Sequence, residues 1–166
     1  MTDNPKEQFS LINDQYIEKI YRFVYVKVDV REMAEDLTSK VFLKCWEAYQ
    51  RGQEIKNPRA FLYQIARNTV TDYYRQKSRS QTVSIDRVVE IRDDRTSPYE
   101  SAVMGADMEA VKTAILKLKK EYQDVLILYY LEDMPAEEIA VIVSKSAGNV
   151  RVMIHRGLEA LRDELT

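Results

Sequence analysis

The stretch from Lys145 to Arg156 holds three basic residues and no acid. On a helix turning about 100° per residue, Val150, Ile154, Leu158, Leu161 and Leu165 share one face. Asn149, Val152 and Arg156 point roughly the other way, with Arg151 and His155 on the flank. In the major groove, asparagine can pair with adenine and arginine with guanine, while flanking cations take phosphate. A second set, FLYQIARNTVTDYYRQKSR from Phe61 to Arg79, interleaves aromatics with Arg67, Arg75, Lys77 and Arg79. Unstacked bases pack on aromatic rings while cations track the backbone, at about 1–3 kcal/mol per stacked base. Tyr63, Arg67 and Tyr74 fall off the expected buried stripe, which makes them the better nucleic-acid candidates, with Tyr73 and Phe61 assigned to packing.

A third set mixes Glu32, Glu35 and Asp36 with Leu37, Phe42 and Trp46. Apolar positions on two sides of one helix suit a protein partner on the outer side, or a wholly internal Trp46. Catalytic sets are missing from the sequence. Cys45 is the single cysteine and His155 the single histidine, so multi-Cys or multi-His zinc sites are excluded. There is no Walker-type loop or G-x-S-x-G element. No enzyme, cofactor, metal or small-molecule substrate is expected.

The elements that must position these sets are helical. Only four glycines and four prolines occur in 166 residues, and 45% of the chain is hydrophobic, which favours an all-α fold over a turn-rich sandwich. Apolar periodicity predicts helices over 13–28, 31–50 and 59–77. The first is lined by Ile17, Ile20, Tyr21, Val24 and Val28, and the third by Leu62, Ile65, Ala66, Thr69, Val70 and Tyr73. Gly52 and Pro58 bound a loop between the second and third. Periodicity fails from Ser78 to Ala106, predicting a flexible acidic linker. Beyond it, Met108, Val111, Ile115 and Leu118 make one helix face, and Val125, Leu126, Leu128 and Tyr129 the next. Pro135 suits the first position of a short helix, and Ser146 is placed to cap the last one. Short helix, tight turn, longer helix is a helix-turn-helix pattern. The expected organisation is two small helical domains, 10–77 and 107–166, around the linker 78–106. The second is expected to be a four-helix, winged-helix-like DNA-binding domain.

Net charge is only −2, yet it is unevenly spread. Residues 51–80 hold seven basic and two acidic residues, and 81–110 hold three basic and seven acidic. Nucleic-acid contact is thus confined to patches. The polar start Met1–Gln8 does not read as a signal peptide, and no apolar run approaches the ~18 residues of a membrane span. A cytoplasmic protein is expected.

Three segments, in this order, resemble the bacterial alternative sigma factors of the extracytoplasmic-function (ECF) group. AEDLTSKVFLKCW (34–46) is similar to the segment that grips the clamp helices of the polymerase large subunit. PRAFLYQIARNTVTDYYRQKSR (58–79) is similar to the segment that captures and melts the minus-ten element. The stretch 122–165 is similar to the helix-turn-helix that reads the minus-thirty-five element. The resemblance implies that Asp36, Leu37, Val41, Phe42 and Trp46 form or support the core-polymerase interface. It implies minus-ten contacts from Asn57, Arg59, Tyr63, Arg67, Asn68, Tyr74 and Arg75, with a flipped base held by the 52–58 loop. It implies minus-thirty-five contacts from Ser146, Gly148, Asn149, Arg151, Val152, His155 and Arg156. The implied partners are core RNA polymerase (clamp helices and flap), promoter DNA and an anti-sigma factor, often membrane-bound. Ser39-Lys40 departs from the family's usual Gln-Glu, and Met153 stands where a basic residue is common. The alternative is a free-standing helix-turn-helix regulator that binds duplex DNA.

Overall fold

A computed structural model describes residues 4–83 and 109–166, which fall into two compact units. The predicted linker lies largely outside the described residues. Every regular element among the described residues is helical.

The first unit packs three helices. α1 spans Pro5–Val28, and Asn4 caps it by accepting a hydrogen bond from the Lys6 amide at 3.0 Å. Pro5 occupies the first turn, where its missing N–H costs nothing. This start is well before the expected Asn13, because Asn4 and Pro5 are a start signal that the apolar period alone does not register. α1 stops at Asp29, a left-handed residue at φ 55°. α2 (Arg31–Gln50) follows after a two-residue link. α3 spans Pro58–Val83, so the helix runs past the expected end at Lys77. The core comprises Ile20, Phe23 and Val24 from α1, Leu37, Val41 and Cys45 from α2, and Leu62, Ala66 and Val70 from α3. Ile17, expected on the inner face of α1, is instead 40% exposed.

Tyr63 corrects the sequence reading of α3. It is only 1% exposed and meets the Phe23 ring edge-on, centroids 5.4 Å apart. α3 packs against both α1 and α2, so its buried arc is about half the circumference rather than a narrow stripe, and Tyr63 falls inside it.

The second unit holds four helices: α4 (109–116), α5 (Lys120–Leu126), α6 (Ala136–Val143) and α7 (Ala147–Leu165). The Gln123 side chain donates to the carbonyls of Leu116 and Leu118 at 3.1 and 2.8 Å, tying the end of α4 to α5. α5 runs on into one π-type turn, Ile127–Leu131. The Glu132 amide reaches the Ile127 carbonyl at 3.1 Å, and the wider turn swings Tyr129 and Tyr130 outward. Tyr129, expected inside, is therefore 38% exposed and packs edge-on against Tyr130. Pro135 sits at the cap of α6 rather than inside it. Val125, Leu126, Ile139, Ile142, Val150 and Ile154 fill the core. Leu165, expected on the inner face, is the last residue of α7 and is 49% exposed. Four helices match the expectation for this unit; a wing would need strands, and none occurs among the described residues.

Candidate polymerase and nucleic-acid interfaces

Three surfaces emerge, each set by local geometry. The first is the outer face of α2. Leu37, Val41 and Phe42 are buried, so of the sequence candidates they can only support a contact. Asp36 is exposed and pairs with Lys40 one turn on, Nζ to Oδ2 3.3 Å. The Ser39 hydroxyl turns back to donate to the Glu35 carbonyl. The two departures thus have local roles: Lys40 neutralises part of the Asp36 charge, and Ser39 is occupied by its own helix. At the centre of this face stands Leu43, 56% exposed, which the periodicity reading did not single out. Its signal was available: an apolar residue half a turn away from Val41 and Cys45. Leu43 borders an apolar groove of about 380 Å³ with Lys6, Phe9, Phe42 and Trp46. Trp46 is half-buried because Phe9 of the longer α1 covers one side, ring centroids 5.2 Å apart.

The second surface joins the 52–58 loop to the solvent side of α3. The loop is locked at both ends. At its start, the Gly52 amide donates to Tyr49 and the Gln53 amide to Ala48, both at 3.1 Å, with Gly52 at φ 76°. This is the Schellman closure of a helix, which needs a left-handed residue after the last turn. At its end, Asn57 Oδ1 accepts from the Ala60 amide at 3.1 Å and Pro58 opens α3. Asn57 therefore spends its side-chain oxygen on the helix cap. Between the locks, Gln53, Glu54 and Lys56 are exposed.

On α3, Asn68 and Arg75 are exposed, and Arg75 lies 3.8 Å from Asp72. Arg59 and Arg67 are half-buried and each already has a partner. Tyr74 is 41% exposed, but its hydroxyl donates to the Lys27 carbonyl at the end of α1. Its oxygen is thereby engaged within the first unit. Phe61 and Tyr73, assigned to packing, are half-buried. Helical angles put Phe61 on the same side as Asn68 and Arg75, so the partly open aromatic on that side is Phe61 and not Tyr63.

The third surface is α7 with α6. Ser144 ends α6 in a left-handed turn at φ 58°. The Ser146 hydroxyl accepts from the Asn149 amide at 3.1 Å and so starts α7. Gly148, Asn149, Arg151, Val152, His155 and Arg156 are all exposed. Met153 is buried among core residues, so the missing cation there is exchanged for packing. Arg151 is ion-paired to Glu137 of α6, and His155 Nε2 lies 3.1 Å from Glu159. Arg151 and His155 also border a shallow groove of about 450 Å³ with Tyr129, Tyr130 and Glu137. Gly157 lets α7 approach α5: an added Cβ would stand 3.2 Å from Leu126. No group of side chains suited to a metal ion occurs among the described residues.

Two helical units, the second closing on a capped helix-turn-helix, define the architecture. Residues 13–80 match the family pattern described as Sigma-70 region 2, and residues 108–161 match Sigma-70, region 4. The chain is 32% identical over 138 residues to ECF RNA polymerase sigma factor ShbA of Streptomyces griseus, covering 81% of this chain and 72% of that protein. It is 27% identical over 160 residues to ECF RNA polymerase sigma factor BldN of Streptomyces coelicolor, spanning 93% of this chain and 59% of BldN. Its fold matches the sigma factor RpoE, solved in complex with the anti-sigma factor NepR from Bartonella quintana, with TM-score 0.77 at 21% identity, over 96% of this chain and 97% of that one. The chain belongs to the ECF RNA polymerase sigma factors. Membership favours a transcription initiation factor over the free-standing regulator.

Proposed function

We propose that this protein joins core RNA polymerase through the outer face of α2 and directs it to promoters whose two elements are read by separate units. Asp36 and Leu43 make the polymerase contact, held in place by Leu37, Val41, Phe42 and Trp46. The clamp helices of the large subunit are the partner there, and the flap is the partner of the second unit. The capped 52–58 loop, with Asn68, Arg75 and half-open Phe61, receives the unpaired minus-ten strand. Arg59, Arg67 and Tyr74 brace that face. Gly148, Asn149, Val152 and Arg156 face the minus-thirty-five duplex, with Arg151 and His155 beside them and Ser146 fixing the start of the helix. No chemistry is performed on the DNA; opening is driven by capture of exposed bases. The protein works in the cytoplasm, under an anti-sigma factor.

The observation that supports this reading most is the second surface. A loop locked at both ends leads into a helix whose one side carries Phe61, Asn68 and Arg75, an arrangement that suits single-strand capture and that a plain duplex regulator does not need. Run-off transcription with purified core enzyme tests it. A specific start on templates from the source genome is expected; absence of any specific start would overturn the proposal.

A further inference from the structure

Glu137 is an acid on the flank of the helix proposed to meet DNA. An exposed carboxylate there repels phosphate and lowers affinity for every sequence, so its presence calls for a compensating role. Its position in the first turn of α6 gives a small favourable interaction with the helix dipole, but neighbouring Glu138 supplies that as well. Beyond that, Glu137 reaches from α6 to α7 and holds one terminal nitrogen (Nη2) of Arg151.

An exposed arginine is otherwise free to swing among many rotamers and contacts phosphates indiscriminately. A guanidinium has five N–H donors in a rigid fork. With Nη2 held by Glu137, the remaining fork donors stay available in one orientation. A fork held in one orientation gives up less conformational freedom when it pairs with the O6/N7 edge of guanine, which sharpens the preference for that base. α6 and α7 pack on each other directly, so the carboxylate is carried on a rigid support.

We infer that Glu137 is a positioning residue for promoter reading: it aims Arg151 at one base pair of the minus-thirty-five element. It also suppresses sequence-independent binding. The inference rests on the proposed minus-thirty-five role of α7. It predicts a sequence preference created by an acid that itself touches no base.

The test uses the full chain bound to core polymerase and a promoter identified by run-off transcription. Competitor duplexes carry single base-pair changes through the minus-thirty-five element. Wild type should discriminate about ten-fold or more at the pair read by Arg151. Glu137→Ala should flatten discrimination at that pair to within about two-fold, leave the other pairs unchanged and raise affinity for non-promoter DNA. Arg151→Ala should flatten the same pair, and the double variant should lose nothing more. Glu137→Gln, which keeps an acceptor for the guanidinium, should retain most of the preference. A Glu137→Ala profile identical to wild type, or uniformly scaled at all positions, would overturn the inference. Because Glu137 is largely exposed, retained helicity and core binding separate that result from misfolding. Failure of wild type itself to start transcription would instead refute the underlying functional reading.

Discussion

Alanine at Gly148 and at Gly157 should act with opposite signs, although both glycines lie in α7. Gly148 is the second residue after the Ser146 cap, in helical backbone, and an added Cβ meets nothing within 4 Å. Glycine in a helix costs about 0.8–1.0 kcal/mol relative to alanine in the interior, and about half of that is reasonable in a first turn. Gly148→Ala should therefore stabilise the second unit by about 0.5 kcal/mol, or roughly 2–4 °C for a unit of this size. Gly157 is different. The same methyl would stand 3.2 Å from Cγ and Cδ1 of Leu126, which is fully buried and would have to give by a few tenths of an ångström against a packed core. Overpacking costs about 1–3 kcal/mol, which outweighs the propensity gain and gives a net loss of about 0–2 kcal/mol. Trp46 lies in the first unit, so its fluorescence does not follow this change; hydrogen exchange of α7 amides does. Nothing in the free protein requires glycine at 148; under the proposed function, a duplex backbone passing close to the start of α7 would supply the requirement. Gly148→Ala should weaken minus-thirty-five binding by the holoenzyme several-fold while protecting α7 better. A variant that is more stable and binds equally well would refute the close approach. A destabilised variant would refute the helix accounting.

Further outcomes follow from the same geometry. Tyr63→Ala should cost about 3–5 kcal/mol in chemical denaturation, as a buried aromatic lost from a core does. Phe61→Ala should cost only about 1 kcal/mol, as the side chain is half-buried, but reduce permanganate reactivity of the promoter in the open complex. Leu43→Glu should weaken core association about ten-fold or more in a competition assay with unchanged helicity, since a charge would enter an apolar contact. Arg156→Ala should weaken minus-thirty-five binding but spare core association; loss of core binding in a pull-down would refute the assignment. Burial pushes the Cys45 thiol up to about 11 and also raises Tyr49. Both groups favour the protonated form when folded, so this stability is intact below about pH 9 and is lost as pH climbs toward 11. Cys45→Ala should flatten part of that alkaline loss, and native Cys45 should react with thiol reagents at pH 8 far more slowly than an unfolded control.

Much of the fold was legible because amphipathic helices announce themselves by period. The boundaries of α2, the Gly52 stop and the Ser146 cap rest on short-range rules that tertiary contact does not override. Tyr63 was misread because period gives the direction of a buried face but not its width. Width depends on how many neighbours a helix has, and α3 has two. Tyr129 was misread for a different reason. One extra residue in the π-type turn rotates everything after it, and no single residue type marks such a turn. Leu43 lies outside the apolar period, yet an isolated apolar residue opposite a buried stripe is itself a physical signal. The cross-helix pair between Glu137 and Arg151 joins residues from different elements, so only the packing of α6 on α7 could expose it.

The two locks on the 52–58 loop have an evolutionary consequence. Each is made by residues at the loop's rim: Gly52 closes α2 through backbone groups, and Asn57 with Pro58 opens α3. Between them, Gln53 joins the first lock only through its backbone amide, Ile55 is half-buried, and the Glu54 and Lys56 side chains are exposed and make neither lock. The exposed side chains at 53, 54 and 56 form an exchangeable set between fixed posts, and, if the loop receives the strand as proposed, drift there would alter what is bound without endangering the fold that presents it. On that reading a lineage could acquire a new set of target promoters through changes confined to one short segment, and an engineer could graft another factor's tip into the same frame.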